Sequence, residues 1–335
     1  MEKGWNGLPY KSISEHYQEK FKAKVYKIPV AVVDDCPNRM GLKGMETCAF
    51  CDVWGSAARS EAFDMELKQQ IEKYKAHIQK KFKAQKFLVY FQAYTNTFTK
   101  VTELEKNFNI ALESPDVVGF VLGTRPDCLS PAVLKLWEKF NQQSSVFVEL
   151  GVQSFFNDDL EFMKRGHSAE ASLEAIKKIT DNTSVDLGIH LIFGNPNETN
   201  ERIIRTAEIV NSLPITNVKL HNLHVLKNTT LEKIYNLGEF APVSLETYSE
   251  RVSHFLQNIR PDIALHRLSA FASRWDELIA PAWTADKMGT HQYIIDFLRA
   301  KSCFQSQKYQ TSDINEKTLQ DSLKLKSSRS SLGII

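Results

Sequence analysis

The sequence predicts an α/β fold: a partial (β/α)6 barrel of the TIM type, followed by a C-terminal α/β extension and a flexible tail. Three observations carry this. Short runs rich in Val, Ile, Leu and Phe alternate with stretches of helical periodicity between residues 25 and 225. The runs are apolar on both parities, as strands of a parallel sheet covered on both faces are. The informative polar residues fall just after the runs, at the carboxyl ends of the strands, where a parallel barrel gathers its ligands.

Taken in order, the strand-like runs are 25–33, 87–91, 117–122, 146–150, 185–193 and 218–225. Between them lie helical patterns at 65–82, 101–112, 131–140, 168–179 and 198–213. Ser130-Pro131 supplies an N-cap with proline at the first helical position, and Ser168 precedes Glu170 and Ala171 in the same way. Six strand–helix repeats with parallel crossovers give the barrel, with an open doubly wound sheet as the competing arrangement. After residue 225 the pattern becomes two helices at 231–237 and 245–259, a strand-like 263–269 and a helix at 292–303. This reads as an extension that completes or caps the barrel. The expected organisation is an N-terminal extension 1–24, a core barrel 25–226, a C-terminal extension 227–304 and a tail 305–335. The tail is rich in Lys, Ser, Gln and Asp, with few large apolar residues.

Of 335 residues, 42% are hydrophobic and 24% charged, which suits one large barrel or two modest domains. A net charge of +2 excludes a chain that is basic throughout. Charge is uneven, however: Lys68, Lys73, Lys75, Lys80, Lys81, Lys83 and Lys86 face only Glu72 between 68 and 86. That pattern is either a solvated helix face or a phosphate-binding patch. No run of 18 apolar residues exists to span a membrane, and residues 1–10 lack the apolar stretch of a secretory signal. A reducing, cytoplasmic setting is expected.

Three of the five cysteines, Cys36, Cys48 and Cys51, fall within sixteen residues. Thiolates select zinc, copper(I) or iron–sulfur clusters. A structural zinc site wants four protein ligands, and no second C-x2-C follows Cys48-x-x-Cys51. Three thiolates leave one coordination position free, which in an iron–sulfur cluster can bind and activate a small molecule. Zinc with a distant His is the plainer alternative.

The segments that follow the other runs are Gln92 to Thr97, Gly123 to Asp127, Glu149 to Ser154, His190 to Pro196 and His221 to His224. With the cysteine loop, they resemble the radical S-adenosylmethionine superfamily, and within it the YhcC/YtqA-like branch. That branch is akin to the catalytic subunit of elongator and to oxygen-independent coproporphyrinogen oxidase. The carriers are CPNRMGLKGMETCAFC, YFQAYTNT, GTRPDCL, VELGVQS, KRGHS, HLIFGNPNET, HNLHVLK, HRLSA and LIAPAW, running from about residue 10 to 304. Eleven residues (37–47) separate the first two cysteines where most of the superfamily has three, a longer loop that resembles the YhcC and elongator pattern.

The resemblance implies two cofactors, a 4Fe-4S cluster and S-adenosyl-L-methionine. Cys36, Cys48 and Cys51 would hold three irons, and S-adenosylmethionine would chelate the fourth. One electron would then cleave the sulfonium to a 5′-deoxyadenosyl radical that abstracts a substrate hydrogen. It also implies cofactor contacts from Phe50 beside the adenine, Glu149, Gln153 and Arg165 on the ribose and methionine groups, and Gly194 and Pro196 in an adenine-binding turn. Gln92, Thr95 and Asn96 stand where relatives carry a Gly-Gly-Glu element, and His190 where some carry Asp. His221, His224, Lys227, Arg267 and Arg125 are the substrate-side candidates. Strand alternation lets only one of His221 and His224 face inward, and His221 is the expected one. The activity implied is modification of the wobble-uridine side chain of a tRNA, since members of this branch are linked to remodelling of aminomethyl-uridine precursors. The lysines of 68–86, with Lys20, Lys22, Lys24 and Lys27, would contact phosphates. A reductant such as flavodoxin or ferredoxin is the implied protein partner. A radical enzyme acting on a small metabolite and a non-catalytic iron–sulfur or zinc scaffold are the alternatives.

Overall fold

The computed structural model describes residues 5–33, 35–51, 65–92, 94–272 and 274–310. Seven parallel strands form one curled sheet. They are β1 (Val25–Val30), β2 (Lys86–Phe91), β3 (Val117–Thr124), β4 (Ser145–Gln153), β5 (Asp186–Phe193), β6 (Asn217–Asn222) and, beyond a two-residue β7 (Val225–Leu226), β8 (Ala264–Leu265). Their order in the sheet is β1-β2-β3-β4-β5-β6-β8, so each crossover steps one strand along in the same sense. β7 pairs antiparallel with β9 (Leu278–Ala280) in a small second sheet. Around the outside run α2 (Leu67–Phe82), α3 (Val101–Glu113), α4 (Pro131–Asn141), the short α5 (Asn157–Phe162), α6 (Ala169–Asn182) and α7 (Asn200–Ser212). The extension adds α8 (Thr230–Asn236), α9 (Leu245–Asn258) and α10 (Lys287–Ala300).

The two faces of the sheet carry different chemistry. One parity of the strands, including Ile28, Val89, Phe91, Phe120, Val148, Ile189 and Leu220, packs against the helices in the main core. This burial holds the layers together, at about 1.5–3 kcal/mol per large side chain. The opposite parity points into the barrel. At the amino ends of the strands it is apolar, where Val25, Leu88, Val121 and Phe147 meet. Higher up it turns polar.

The lower, apolar end is closed by a helix that the sequence reading left inside an undivided extension. α1 (Ile13–Phe21) is capped by Ser12, whose hydroxyl accepts from Glu15 N–H, so Ser12-x-x-Glu15 is the capping signal that would have found it. Tyr17 packs edge-on against Phe147 at 5.3 Å, and His16 bonds Asp186 at 2.8 Å. Leu265 N–H donates to Lys11 O, which ties the chain before α1 to the last strand of the sheet.

The expected helix starts are present: Ser130 accepts from Val133 N–H and Ser168 from Ala171 N–H. Several expected elements change length. The strand-like 263–269 shrinks to Ala264–Leu265, because His266 onward leaves the sheet to line a cavity. The run 218–225 breaks after Asn222, whose side chain bonds Thr284 and Ala270 rather than continuing the strand. α10 begins earlier than expected because Asp286 caps it through Gly289 N–H. The expected tail is tied down at its start. Gln305 is buried and its amide donates to Ile263 O and Arg260 O, satisfying carbonyls at the base of the last strand. The remainder of that tail, 311–335, lies outside the described residues.

The Tyr17 hydroxyl is buried with no hydrogen-bond partner. Tyr17→Phe is therefore expected to leave stability unchanged or raise it by about 1 kcal/mol, whereas Tyr17→Ala should cost about 3–5 kcal/mol by emptying the floor of the barrel. The urea unfolding midpoints of the two variants check this, and a loss in Tyr17→Phe comparable to that in Tyr17→Ala would refute the packing argument.

Candidate active site

The cysteine loop leaves β1 and folds over the carboxyl end of the sheet. Its CxxC turn is closed by Cys51 N–H donating to Cys48 O, and it is pinned from both sides through Ala49. Ala49 N–H donates to Met163 O at the end of α5, and Ala49 O accepts from Leu231 N–H of α8. Asn38, absent from the sequence-level candidates, fixes the long first half of the loop. It is fully buried, and its amide donates to Glu46 O at 2.6 Å and Lys164 O at 3.0 Å. Its carbonyl oxygen accepts from Arg125, whose guanidinium also makes two bonds to Asp127, at 2.9 and 2.8 Å. Gly166 lies against this junction: a Cβ there would run into the Met45 sulfur.

Beneath the loop is a cavity of about 210 Å³. Cys36, Cys48 and Cys51 line it together with Glu149, Gln153, Arg165, His190 and His221. Arg165 donates from Nη1 to Cys48 Sγ at 3.2 Å and from Nη2 to Gly151 O at 3.2 Å. The fit around Gly151 is close: a Cβ would sit 3.0 Å from the Gln153 amide, 3.3 Å from Thr124 O and 3.4 Å from Arg165, so these neighbours would have to give by a few tenths of an ångström. A one-residue bulge in β4 between Leu150 and Gln153 leaves Gln153 at φ +71° on the cavity wall.

At the floor of the cavity, halfway along β4, Glu149 is 2% exposed. It pairs with Lys27, with Lys219 at 3.0 Å, with Tyr90 Oη at 2.7 Å and with His190 Nε2 at 2.6 Å. Burial alone would push its carboxyl up, but the Lys219 and Lys27 ammonium groups hold it well below the usual range. His266 sits next to Lys27 at 3.1 Å and bonds Asn217 Oδ1 at 2.6 Å. Burial lowers the pKa of His190 to about 4 and takes His221 and His266 well below the usual value, so all three rings are neutral at pH 7. One carboxylate thus serves two lysines, and Lys219 yields: burial, aided by Arg267 and Lys27, brings it down to about 7. Tyr90, Lys219 and His266 were not among the sequence-level site residues, and Lys27 was expected only as a phosphate contact. Lys27 and Lys219 were legible as charged residues inside apolar strand runs.

Several expectations change. Lys27 is no phosphate contact, because it points into the barrel. His221 and His224 both line the cavity, since β6 ends at Asn222 and strand alternation no longer governs His224. Lys227 lies outside the cavity, exposed, with its ammonium on Asp276 O at 2.7 Å. Arg125 supports the cysteine loop from beneath and also reaches the cavity wall. Gly194 and Pro196 do not line the cavity. Gly194, at φ +101°, gives its N–H to Glu198, Pro196 is exposed, and Ile192 and Leu223 form that wall. Asn96 is a staple whose amide donates to Phe91 O at 2.7 Å and Gly123 O at 3.1 Å, while Gln92 and Thr95 do line the cavity. Phe50 lines it too and packs against the small core that holds Ala49 and Met163. Arg267 lies beyond, in a second and larger cavity.

The lysine-rich helix needs the largest revision. α2 runs down the outside of the barrel, with Gln70 bonded to Ala31 just past the end of β1 and Phe82 stacked on Tyr26 at its start. Lys80, Lys81 and Lys83 therefore sit at the amino ends of the strands, at the opposite end from the cysteines.

The radical SAM superfamily model matches residues 32–210, and the Radical_SAM C-terminal domain model matches 215–300. The chain belongs to the radical SAM superfamily. It is 30% identical over 301 residues to the uncharacterized protein YtqA of Bacillus subtilis, covering 90% of this chain and 93% of that one. To YhcC of Escherichia coli K12 it is 32% identical over 270 residues, covering 80% and 85%. These relatives bear out the expected YhcC/YtqA-like branch. The fold is similar to that of Elp3 from the archaeon Methanocaldococcus infernus, solved without its first 46 residues, with TM-score 0.64 and 18% identity. That likeness covers 84% of this chain and 64% of the other.

This radical SAM protein is an enzyme whose cofactors are a 4Fe-4S cluster and S-adenosylmethionine. The residues present fit both. Among the described residues no three Cys, His, Asp or Glu side chains gather on one point as a single ion requires, yet the three thiols share one cavity wall. Burial and the neighbouring Cys48 and Cys36 push the Cys51 thiol up to about 12, so the three sulfurs are close enough to repel as thiolates. Irons of a cluster, each taking one thiolate, relieve that repulsion. Among the described residues, no helix is long and apolar enough to cross a membrane.

Two outcomes are expected. Cys36→Ala, Cys48→Ala and Cys51→Ala should each lose the roughly four irons bound by anaerobically reconstituted protein, while Cys128→Ala and Cys303→Ala should keep them, as read by iron and sulfide content. Lys219 has a folded pKa below its unfolded value, so the penalty for charging it is fully present below pH 7. Between pH 7 and about 10 the unfolded chain still holds a proton that the folded one has released, and stability should rise with pH. Lys219→Met should flatten that rise in urea midpoints measured from pH 7 to 9.5, and an unaltered slope would contradict it.

Proposed function

We propose that this enzyme modifies RNA, with the wobble-uridine side chain of a tRNA as its target. The observation that carries this reading is the second cavity, about 820 Å³, which joins the first through Gln92, His221, His224 and Leu226. It opens between the two edges of the sheet, with Tyr10, Ser14 and Tyr26 on one side and residues 266–272 on the other. Its described lining carries Arg267, Arg274 and Lys287, with His221, His224, His266 and His291; no carboxylate is part of that lining, and Arg274 is ion-paired with Glu277 at 2.9 Å. Phe271 and Met288 are exposed on the same wall, and Trp275 is exposed beside Arg274. Cations for phosphates and flat or polarizable surfaces for an unstacked base are what a flipped nucleotide needs. A further relative supports the same substrate class: over 140 residues the chain is 30% identical to the tRNA uridine(34) acetyltransferase of Methanocaldococcus infernus, covering 41% of this chain and 26% of that one.

Cys36, Cys48 and Cys51 would hold the cluster, and Phe50, Gln92, Thr95, Gln153 and Arg165, which line the same cavity, would hold S-adenosylmethionine. The bound and reduced cofactors would supply hydrogen-abstracting radical chemistry. The chain's own residues do the rest. Ile192, Leu223 and Leu226 make an apolar stretch of the cavity wall that would keep water from the reacting groups. Lys219, poised near pH 7, can give or take a proton where the cavity meets the buried carboxylate. Flavodoxin or ferredoxin would serve as reductant.

Nucleosides from tRNA, digested and weighed by mass spectrometry after incubation with the reduced, reconstituted enzyme, should show an altered wobble uridine. Binding of tRNA should fall steeply with salt as counterions are released. Replacing Arg274 and Lys287 by Glu should weaken it, while replacing Lys80, Lys81 and Lys83 by Glu should not. Nucleoside profiles identical in cells with and without the protein would remove the tRNA reading and leave the radical enzyme.

A further inference from the structure

Arg267, just past the last strand of the sheet, is a cationic group with no described carboxylate as its partner. Lys27 and Lys219 are both ion-paired to Glu149, whereas no described Asp or Glu lies within ion-pairing distance of the Arg267 guanidinium. It is held instead by neutral groups. Nε donates to Leu220 O at 3.3 Å and Nη2 to His221 Nδ1 at 2.7 Å. Burial keeps His221 neutral, so its ring accepts that proton and adds no charge of its own. The side chain is partly buried on the last strand's continuation and faces the larger cavity, whose described lining holds no carboxylate. His221 stands at the junction of that cavity with the one beneath the thiols.

A guanidinium taken partly out of water without a counter-charge is unfavourable, and its planar fork matches a two-oxygen anion. We propose that Arg267, oriented by His221, is the anion-recognition group of the substrate site and takes a carboxylate or phosphate of the substrate at the junction of the two cavities. The inference rests on reading the larger cavity as the substrate entrance. It adds a chemical requirement to that reading, namely that the substrate carries an oxyanion close to the atom that reacts. His221 is then a positioning residue, acting through Arg267.

The test has two arms on the full-length chain. In the first, thermal midpoints are recorded at constant ionic strength as sodium chloride is replaced by sodium acetate or sodium phosphate. The wild type should gain more than Arg267→Gln from at least one of the two anions, with Arg267→Lys between them, and equal gains in all three would overturn the site. In the second, fluorescence anisotropy measures binding of anticodon stem-loops bearing 5-carboxymethyluridine, its neutral carbamoylmethyl counterpart or plain uridine at the wobble position. A preference of about tenfold for the carboxylate, lost in Arg267→Gln, places the anion on the base side chain. Equal weakening of all three RNAs by Arg267→Gln makes it a backbone phosphate. Indifference to Arg267 among RNAs that do bind overturns the proposal while leaving the tRNA reading intact. If no stem-loop binds and the first arm holds, the tRNA reading is lost and the anion site stands for a small carboxylate or phosphate substrate.

Discussion

The burial of one carboxylate, Glu149, organises the interior of this barrel. A charge that deep is tolerated only when paired and fully hydrogen-bonded, and taking away one partner of such a set costs about 3–5 kcal/mol. Four strands answer to it or to its immediate neighbours, Lys27 on β1, Tyr90 on β2, His190 on β5 and Lys219 and Asn217 on β6, and His266 joins them from just past β8. A shift of one residue in any strand would turn its contribution to the outer face. The network therefore ties the register of the sheet to its charge balance, a constraint that apolar contacts alone do not impose.

The levels above and below follow from it. Beneath lies an apolar floor that needs a plug, and α1 provides Tyr17 and the His16 contact to Asp186. Above lies a polar cavity whose roof is the cysteine loop. That loop has little secondary structure of its own, so its position is set by backbone and amide bonds through Ala49 and Asn38, with Arg125 beneath. Function enters where rigid strands meet this stapled loop, the usual division of labour in parallel barrels.

Much of the fold was legible. A two-sided parallel sheet needs apolar runs, and all six expected strands begin within one residue of their observed starts, although the sixth then breaks at Asn222. What escaped was local in extent and tertiary in cause. α1 carries few apolar residues because it fills only the narrow end of the barrel. The cysteine trio was readable because thiols are rare and closely spaced. Asn38 was not, because a buried amide that staples two carbonyls looks like any loop asparagine until those carbonyls are placed beside it.

The sequence by itself determined the alternation of strands and helices, the polar ends of the strands and the three-cysteine motif, since each is written in local spacing. Only the tertiary structure decided where charges stand relative to one another. It turned Lys27 inward, carried Lys80, Lys81 and Lys83 to the far end of the barrel, and left Arg267 facing a cavity with no described carboxylate. The physical reason is that charge interactions act through space across strands far apart in the chain. Parity along one strand says which face a residue takes, but not which partner waits on the strand opposite.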